Sequence, residues 1–242
     1  MNLKLKLLFG AIYLICFCTL MFIVFSNFDF KDLVDINFFK DNQQILNTFK
    51  LKNIFLLLIF FSIFSIIWIS LLGFASPLAL LAGFVFGKWL GTLISVISFS
   101  IGSTLLYYLA NFFFKEFIRK KLSTKIEKFI NLFNKNEFLY FMLFRFTGGG
   151  GMPFAIQNVL PVVFGMRLKS YFFATLLGLT PAIFIINSLG MGIGNFVSNN
   201  DSIVWTNLIK DPEIYIPIFI FILLLIIASF INKVFFSNKL SK

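Results

Sequence analysis

Arg145 stands at the end of an apolar run, Phe138 to Phe146, directly before Gly148, Gly149, Gly150, Gly151 and Pro153. A charge within such a run costs several kcal/mol in a bilayer unless it is paired or wetted. No Asp or Glu occurs between Glu137 and Asp201, or between Asp41 and Glu116, so the apolar part of the chain supplies no carboxylate partner. The guanidinium must therefore reach an interface and cap carbonyls there, or face a wet cavity that receives an anion. Its planar fork matches a phosphate bidentately. The amides of the glycine run can form an anion-binding nest, and a half-helix starting near Phe154 would aim its positive end at the same place. Gln157 and Asn158, on the first turn after Pro153, add neutral hydrogen bonds to a headgroup or to freed backbone. These residues, with Pro153, are the candidate binding set for an anionic lipid headgroup.

Other chemistries lack their residues. The chain has no His, which removes His-based metal sites, His general bases and Ser-His or Cys-His nucleophilic pairs. No GxxxxGK[ST] run and no intramembrane pair of aspartates is present. Cys16 and Cys18 lie too close for an ordinary disulfide; a soft-metal C-x-C site is their one chemical alternative. We expect no enzyme activity, no cofactor and no resident metal.

The elements that must position Arg145 follow from composition. Of 242 residues, 59% are hydrophobic and 13% charged, which excludes a soluble domain. The net charge of +11 fits membrane orientation and anionic lipid better than nucleic acid, since no soluble segment is long enough for a nucleic-acid module. Residues 7–25 read as an uncleaved transmembrane helix behind Lys4 and Lys6. The mixed charges of residues 26–52 suit an external loop. Residues 115–137, with Lys115, Arg119, Lys120, Lys121, Lys125, Lys128 and Lys135, read as an amphipathic helix on the cytoplasmic leaflet.

An odd number of crossings must join that outside loop to that inside one. Three crossings would leave about 13 residues for the middle one, a rise of about 20 Å against a hydrocarbon core of about 30 Å. One crossing fits better: residues 54–73 enter, turn at Gly73 to Pro77 and return through a short limb ending at Phe86 and Gly87. Residues 89–114 then cross. The stretch from Phe138 to Gly165 begins and ends beside cytoplasmic markers, the last being Arg167 and Lys169, so it reads as a second re-entrant hairpin, turning at Gly148 to Pro153. Residues 170–189 cross outward and residues 214–231 cross back, before Lys233, Lys239 and Lys242.

Both short limbs begin at a proline, Pro77 or Pro153, and close in Phe-Gly, and each precedes a full span. That pattern is the inverted repeat of secondary transporters. The expected fold is an all-α polytopic membrane protein: two re-entrant helical hairpins, each followed by a transmembrane helix, plus N- and C-terminal transmembrane helices. Small residues Gly91, Ser95, Ser98 and Gly102 line one face of the third span, and Ala174, Gly178 and Ala182 another, so backbones can approach closely. Pro77, Gly83, Gly87, Gly91, Gly102, Gly165, Gly178 and Pro181 carry the structural roles. The division is an N-terminal helix and loop (1–52), a core (53–194) and a C-terminal loop, helix and basic tail (195–242).

The stretches SPLALLAGFVFGKWLGTLISVISFSIGSTLLYYLA and FRFTGGGGMPFAIQNVLPVVFGMRLKSYFFATLLGLTPA resemble the VTT-domain family, also called SNARE-associated Golgi proteins or the DedA-like superfamily. The resemblance covers roughly residues 73 to 194. It implies paired re-entrant loops and movement of phospholipids or polyprenyl-phosphate carriers between leaflets. It matches Arg145 to the family's hairpin arginine, Pro153 to its proline, and Gly165 with Arg167 to the hairpin's end. The DedA branch carries acidic residues in its first hairpin and this chain has none from 42 to 115, which favours passive exchange over coupling through a buried carboxylate. Residues 179–182 read Leu-Thr-Pro-Ala where relatives often show Pro-Gly.

The sequence thus leads us to expect a bacterial inner-membrane protein, both termini cytoplasmic, that scrambles or flips phospholipid or lipid-linked phosphate. Its expected partners are anionic membrane lipids and, as a homo-oligomer, further copies of itself, with no nucleic acid. The alternatives are a small-solute or ion transporter, or a non-transporting membrane assembly protein.

Overall fold

The computed structural model describes residues 36–71, 74–121, 135–199 and 210–232, with isolated positions at 15, 18, 19, 22, 26 and 133. The proposed N-terminal helix, most of the basic segment after Lys121 and the basic tail lie outside the described residues. Every described element is helical: α1 (Ile36–Ser70), α2 (Ala75–Lys121), α3 (Glu137–Phe146), a 3-10 turn (Gly148–Gly151), α4 (Phe154–Val159), α5 (Pro161–Phe164), α6 (Leu168–Asn199) and α7 (Pro212–Asn232).

α1 contains neither Gly nor Pro, so no residue type in it forces a break. Its helix begins at Ile36, inside the stretch read as an external loop, and leaves helical geometry at Asn53 (φ −141°, ψ 41°). The apolar part is Lys52–Ser70. Beyond its end the Trp68 indole Nε1–H donates to the Phe74 carbonyl at 3.0 Å, tying α1 to the residue before the next helix. The next helix begins at Ala75, so Pro77 sits in its first turn, where a missing amide donor costs nothing.

α2 is two helices joined at Gly87, whose φ of 78° and ψ of 175° are open to glycine and strained for any other residue. The chain doubles back there. A Cβ placed on Gly91 would lie 2.8 Å from the Ala82 carbonyl oxygen, whereas in a straight helix those residues would stand about 13 Å apart. The limb Ala75–Phe86 therefore lies beside the start of the long helix that follows it. The expected Phe-Gly boundary is the observed one.

The second half has a turn and a return limb of its own. α3 is capped by the Asn136 side chain and carries Glu137 in its first turn, where a negative charge favours the helix dipole. The glycine run forms the turn, and the return limb is the broken pair α4 and α5. It ends at Gly165 in the left-handed region (φ 63°), with the Met166 amide reaching the Pro161 carbonyl, a glycine C-cap. α6 then runs unbroken through Pro181.

α2 and α6 pack antiparallel along their length, pairing Gly91 with Asn187 and Tyr107 with Tyr171. Each hairpin lays its first limb on the long helix of its own half. The α1 backbone at Ile66 and the Ile69 side chain meet Gly102, and α3 at Met142 and Arg145 meets Gly178. Each return limb packs on the opposite long helix: Gly83 against Asn187 of α6, Leu80 against Gly190, and α4 and α5 against α2. From Gly102, α2 continues for about 16 Å to Phe113, and from Gly178, α6 continues for about 27 Å to Phe196, at 1.5 Å per residue. Both hairpin turns thus stop well short of the long helices' ends.

The apolar residues divide between two cores and an outer surface. One core holds Phe61, Ile69, Leu78, Phe86, Phe99, Leu179 and Ile183; the other holds Tyr107, Phe133, Phe141, Val162, Met166 and Tyr171. Phe55, Phe60, Trp89, Leu93, Phe173, Phe219 and Ile226 face outward. In water such a surface would aggregate. Lys52–Ser70, Ala75–Phe113 and Leu168–Phe196 are long and apolar enough to cross a membrane, and the apolar stretch Pro212–Leu223 begins α7.

Candidate functional site

The crossed packing brings Arg145 into the interior, where only 1% of it is exposed. It neither reaches an interface nor lies open to solvent. Its Nη1 donates to Gln157 Oε1 at 3.2 Å, and its Nη2 donates to Asn158 Oδ1 and, at 3.0 Å, to the Tyr171 hydroxyl. The guanidinium carbon lies 5.0 Å from the Phe141 ring centre and 5.1 Å from that of Phe154, so π faces supply part of the stabilisation that water would give. Among the described residues no carboxylate touches it, as the sequence required. Among the described residues its Nε and the Asn158 Nδ2 have no acceptor. The site is therefore a buried positive charge held by neutral groups, with two N–H-bearing atoms left over.

Gln157 and Asn158 divide the work. Gln157 donates from Nε2 to the carbonyls of Met152 (2.7 Å) and Gly148 (3.2 Å), holding the glycine turn, while its oxygen accepts from Arg145. Asn158 faces Arg145 and Tyr171. Gly148, Gly149 and Gly151 all have positive φ, between 68° and 76°. Gly149 has a further reason to be glycine, because a Cβ there would overlap the Gln157 amide. The turn presents carbonyls to Gln157, so in this conformation it is a bracket for that side chain. Pro153 is the exposed N-cap residue of α4.

Tyr171 was not legible as a site residue. It is fully buried, stacks on Tyr107 (ring centres 4.6 Å apart, planes 16° apart) and on Phe141 (5.2 Å), and lies near the hydroxyls of Ser103 and Thr175, at geometry too loose for a firm bond. Its one sequence signal is a hydroxyl among phenylalanines, Tyr-Phe-Phe. The Tyr107 hydroxyl in turn donates to the Met166 carbonyl at 2.6 Å and ties the end of the second hairpin to α2.

A second missed pair closes the mouth of that hairpin. Arg167 Nε meets Glu137 Oε1 at 2.6 Å and the Arg167 amide donates to Oε2 at 3.2 Å, joining the start of α3 to the link between Gly165 and α6. Burial pushes the Glu137 carboxyl up, but hydrogen bonds from Ser170 and Arg167 outweigh it and hold the group below its usual 4.5. Of the cysteines, Cys18 is free and exposed, and Cys16 lies outside the described residues. Among the described residues no group of His, Cys, Asp or Glu could hold a metal ion.

Long apolar helices with outward-facing aromatics, folded around a buried guanidinium, define a helical membrane protein. Residues 72–192 match the model of the VTT domain, and the chain belongs to that family. It is 34% identical over 128 residues to a Bacillus subtilis (strain 168) protein named "Uncharacterized protein YqeD", a match spanning 51% of this chain and 59% of the relative. No solved structure matches the chain.

Proposed function

We propose that the protein moves an anionic lipid, a phospholipid or a lipid-linked phosphate, between the leaflets of the bacterial inner membrane, with both termini cytoplasmic and without enzymatic chemistry. The observation that carries the reading is Arg145: buried, charged and, among the described residues, bonded only to neutral partners with its Nε–H left over. Such a charge is costly in a bilayer, and an anion arriving beside it offsets that cost. The phosphate would take up the spare donors of Arg145 and Asn158, with Gln157 and Tyr171 keeping the guanidinium in register and the glycine turn giving way to admit it.

The two hairpins are read as re-entrant, an inverted repeat whose turns end inside the bilayer. Support comes from their turns lying beside Gly102 and Gly178, far from the ends of α2 and α6. Close approach of a headgroup to Arg145 requires the second hairpin to part from α2 or α6, since the guanidinium is enclosed. Lipid is the proposed partner, together with further copies of the chain.

Leaflet exchange of fluorescent phospholipids and of a polyprenyl phosphate, in vesicles carrying purified protein, tests the reading. Exchange should fall to the level of empty vesicles in Arg145→Ala. In Arg145→Lys it should fall about tenfold, because one ammonium cannot serve three divergent acceptors. Wild-type exchange in both variants would remove the site assignment. Absence of exchange by the wild type under any pH gradient would favour a solute transporter or an assembly protein.

A further inference from the structure

The seam between α2 and α6 has a polar niche at each end and an apolar layer between them. At one end Ser103, Thr175, Tyr171, Asn158 and Arg145 gather. At the other Asn187 faces Gly91 and the Ala82 carbonyl, with Ser95 one turn further along α2. Between them Phe99 is fully buried and packs in one cluster with Leu179 and Ile183. Thr175 and Asn187 stand about 18 Å apart along α6 at 1.5 Å per residue.

Among the described residues both niches hold buried hydroxyls without a partner, and they differ in their guanidinium and amide groups. Around Arg145 the unsatisfied atoms include N–H donors. At Asn187 they are oxygens: the Asn187 side chain, wholly buried, donates from Nδ2 to the Ile183 carbonyl at 2.8 Å, and its Oδ1 has no partner among the described residues. That oxygen points at Gly91, where a Cβ would lie 2.7 Å from it and 2.8 Å from the Ala82 carbonyl oxygen. Ser95, one turn along the same face as Gly91, is also wholly buried with an unpartnered hydroxyl, as are Ser98 and Ser65. Ser100, Ser103 and Thr175 share this state, while Ser62, Thr92, Thr104, Thr180 and Ser188 return their hydroxyls to the carbonyl four residues back. The niche also adjoins the break at Gly87, where the limb Ala75–Phe86 presents the negative end of its dipole.

We infer that the Asn187 niche is a binding site for a monovalent metal cation, with sodium its fitting occupant. Its ligands would be Asn187 Oδ1, the Ser95 hydroxyl and the backbone carbonyl of Ala82, completed by water. Oxygen-only sites at interrupted helices suit sodium. A proton is excluded as the occupant because neutral amide and hydroxyl oxygens do not hold one at physiological pH, and no Asp or Glu lies between 42 and 115 or between 138 and 200. A divalent ion is excluded because the site offers it no anionic ligand. The site goes beyond the lipid reading and does not depend on it.

Thermal unfolding of the purified full chain, at constant ionic strength in sodium, potassium or choline chloride, decides the matter. Sodium should raise the Tm by about 3 to 6 °C at about ten times its Kd, with choline giving no rise. Asn187→Leu and the milder Ser95→Ala should each abolish the sodium-specific rise, while Arg145→Ala keeps it. Ser95→Ala removes one hydroxyl without adding volume, so it remains informative if Asn187→Leu fails to fold. Equal Tm in all three salts would mean the niche holds water only and would overturn the proposal. So would a full sodium rise in Ser95→Ala, or its loss in Arg145→Ala. Failure of lipid exchange in the wild type would sink the lipid reading and leave this one standing.

Discussion

Gln157 makes three hydrogen bonds with one amide: one to Arg145 and two to carbonyls of the glycine turn. Gln157→Leu leaves those carbonyls and a guanidinium nitrogen without a partner, so it should lower stability by about 2–4 kcal/mol. Gly149→Ala acts on the same bracket by adding backbone strain at φ 68° and crowding Gln157; a loss of about 1–3 kcal/mol should appear in detergent unfolding. Glu137 behaves differently because its contribution is tied to charge. Its carboxyl titrates lower in the folded protein than in the unfolded chain, so the pair with Arg167 contributes fully above the usual carboxylate pKa. That contribution is lost as pH falls below 4.5 and through the lowered value. The Tm of the wild type should therefore drop on acidification through that window, and the Glu137→Gln variant should start lower at pH 7 and drop less.

Glycines set the spacing between elements, and they do so for two different reasons. Gly83 and Gly190 are where the first return limb and α6 touch backbone to backbone, so any side chain forces the helices apart. Gly165 has open space around it and is constrained only by its left-handed φ of 63°. Gly83→Ala should thus cost about 3 kcal/mol or more, and Gly165→Ala about 1–2 kcal/mol, with Gly165→Asn milder still. Unfolding midpoints of the three variants measure the difference directly. The sequence exposed these boundaries because proline and glycine act locally: the Phe-Gly closures at 87 and 165 are readable without knowing what packs on them. The crossed arrangement was not readable, since nothing local says that the limb ending at Gly87 lies on α6 and not on α2 alone.

At the scale of the whole molecule, the re-entrant reading makes a statement about depth. Phe74 and Met152 sit at the two hairpin turns, both with exposed side chains. If the turns end within the bilayer, single cysteines placed there in a Cys-free background should resist membrane-impermeant thiol reagents from either side. Cysteines at Lys135 and Glu213 should label from opposite sides, the first from the cytoplasm. Full crossings by the hairpins would instead make Phe74→Cys and Met152→Cys reactive from one face each.

Composition and charge alone determined that the protein is a helical membrane protein, because a bilayer satisfies backbone polar groups only within helices or closed barrels, and the apolar runs are helix-length. The same reading singled out Arg145, Gln157 and Asn158, since a charge and two amides within an apolar segment are conspicuous wherever they fold. Tertiary structure alone decided what they meet. Tyr171, Ser103 and Thr175 come from two long antiparallel helices, and the Glu137–Arg167 clasp joins residues 30 apart in the chain. Asn187 becomes a partner of Gly91 only when α6 lies against α2. Such contacts depend on how helices cross and on which face each one buries. In a chain whose lipid-facing and core-facing side chains are both apolar, and many of them Phe, hydrophobic periodicity does not tell those faces apart.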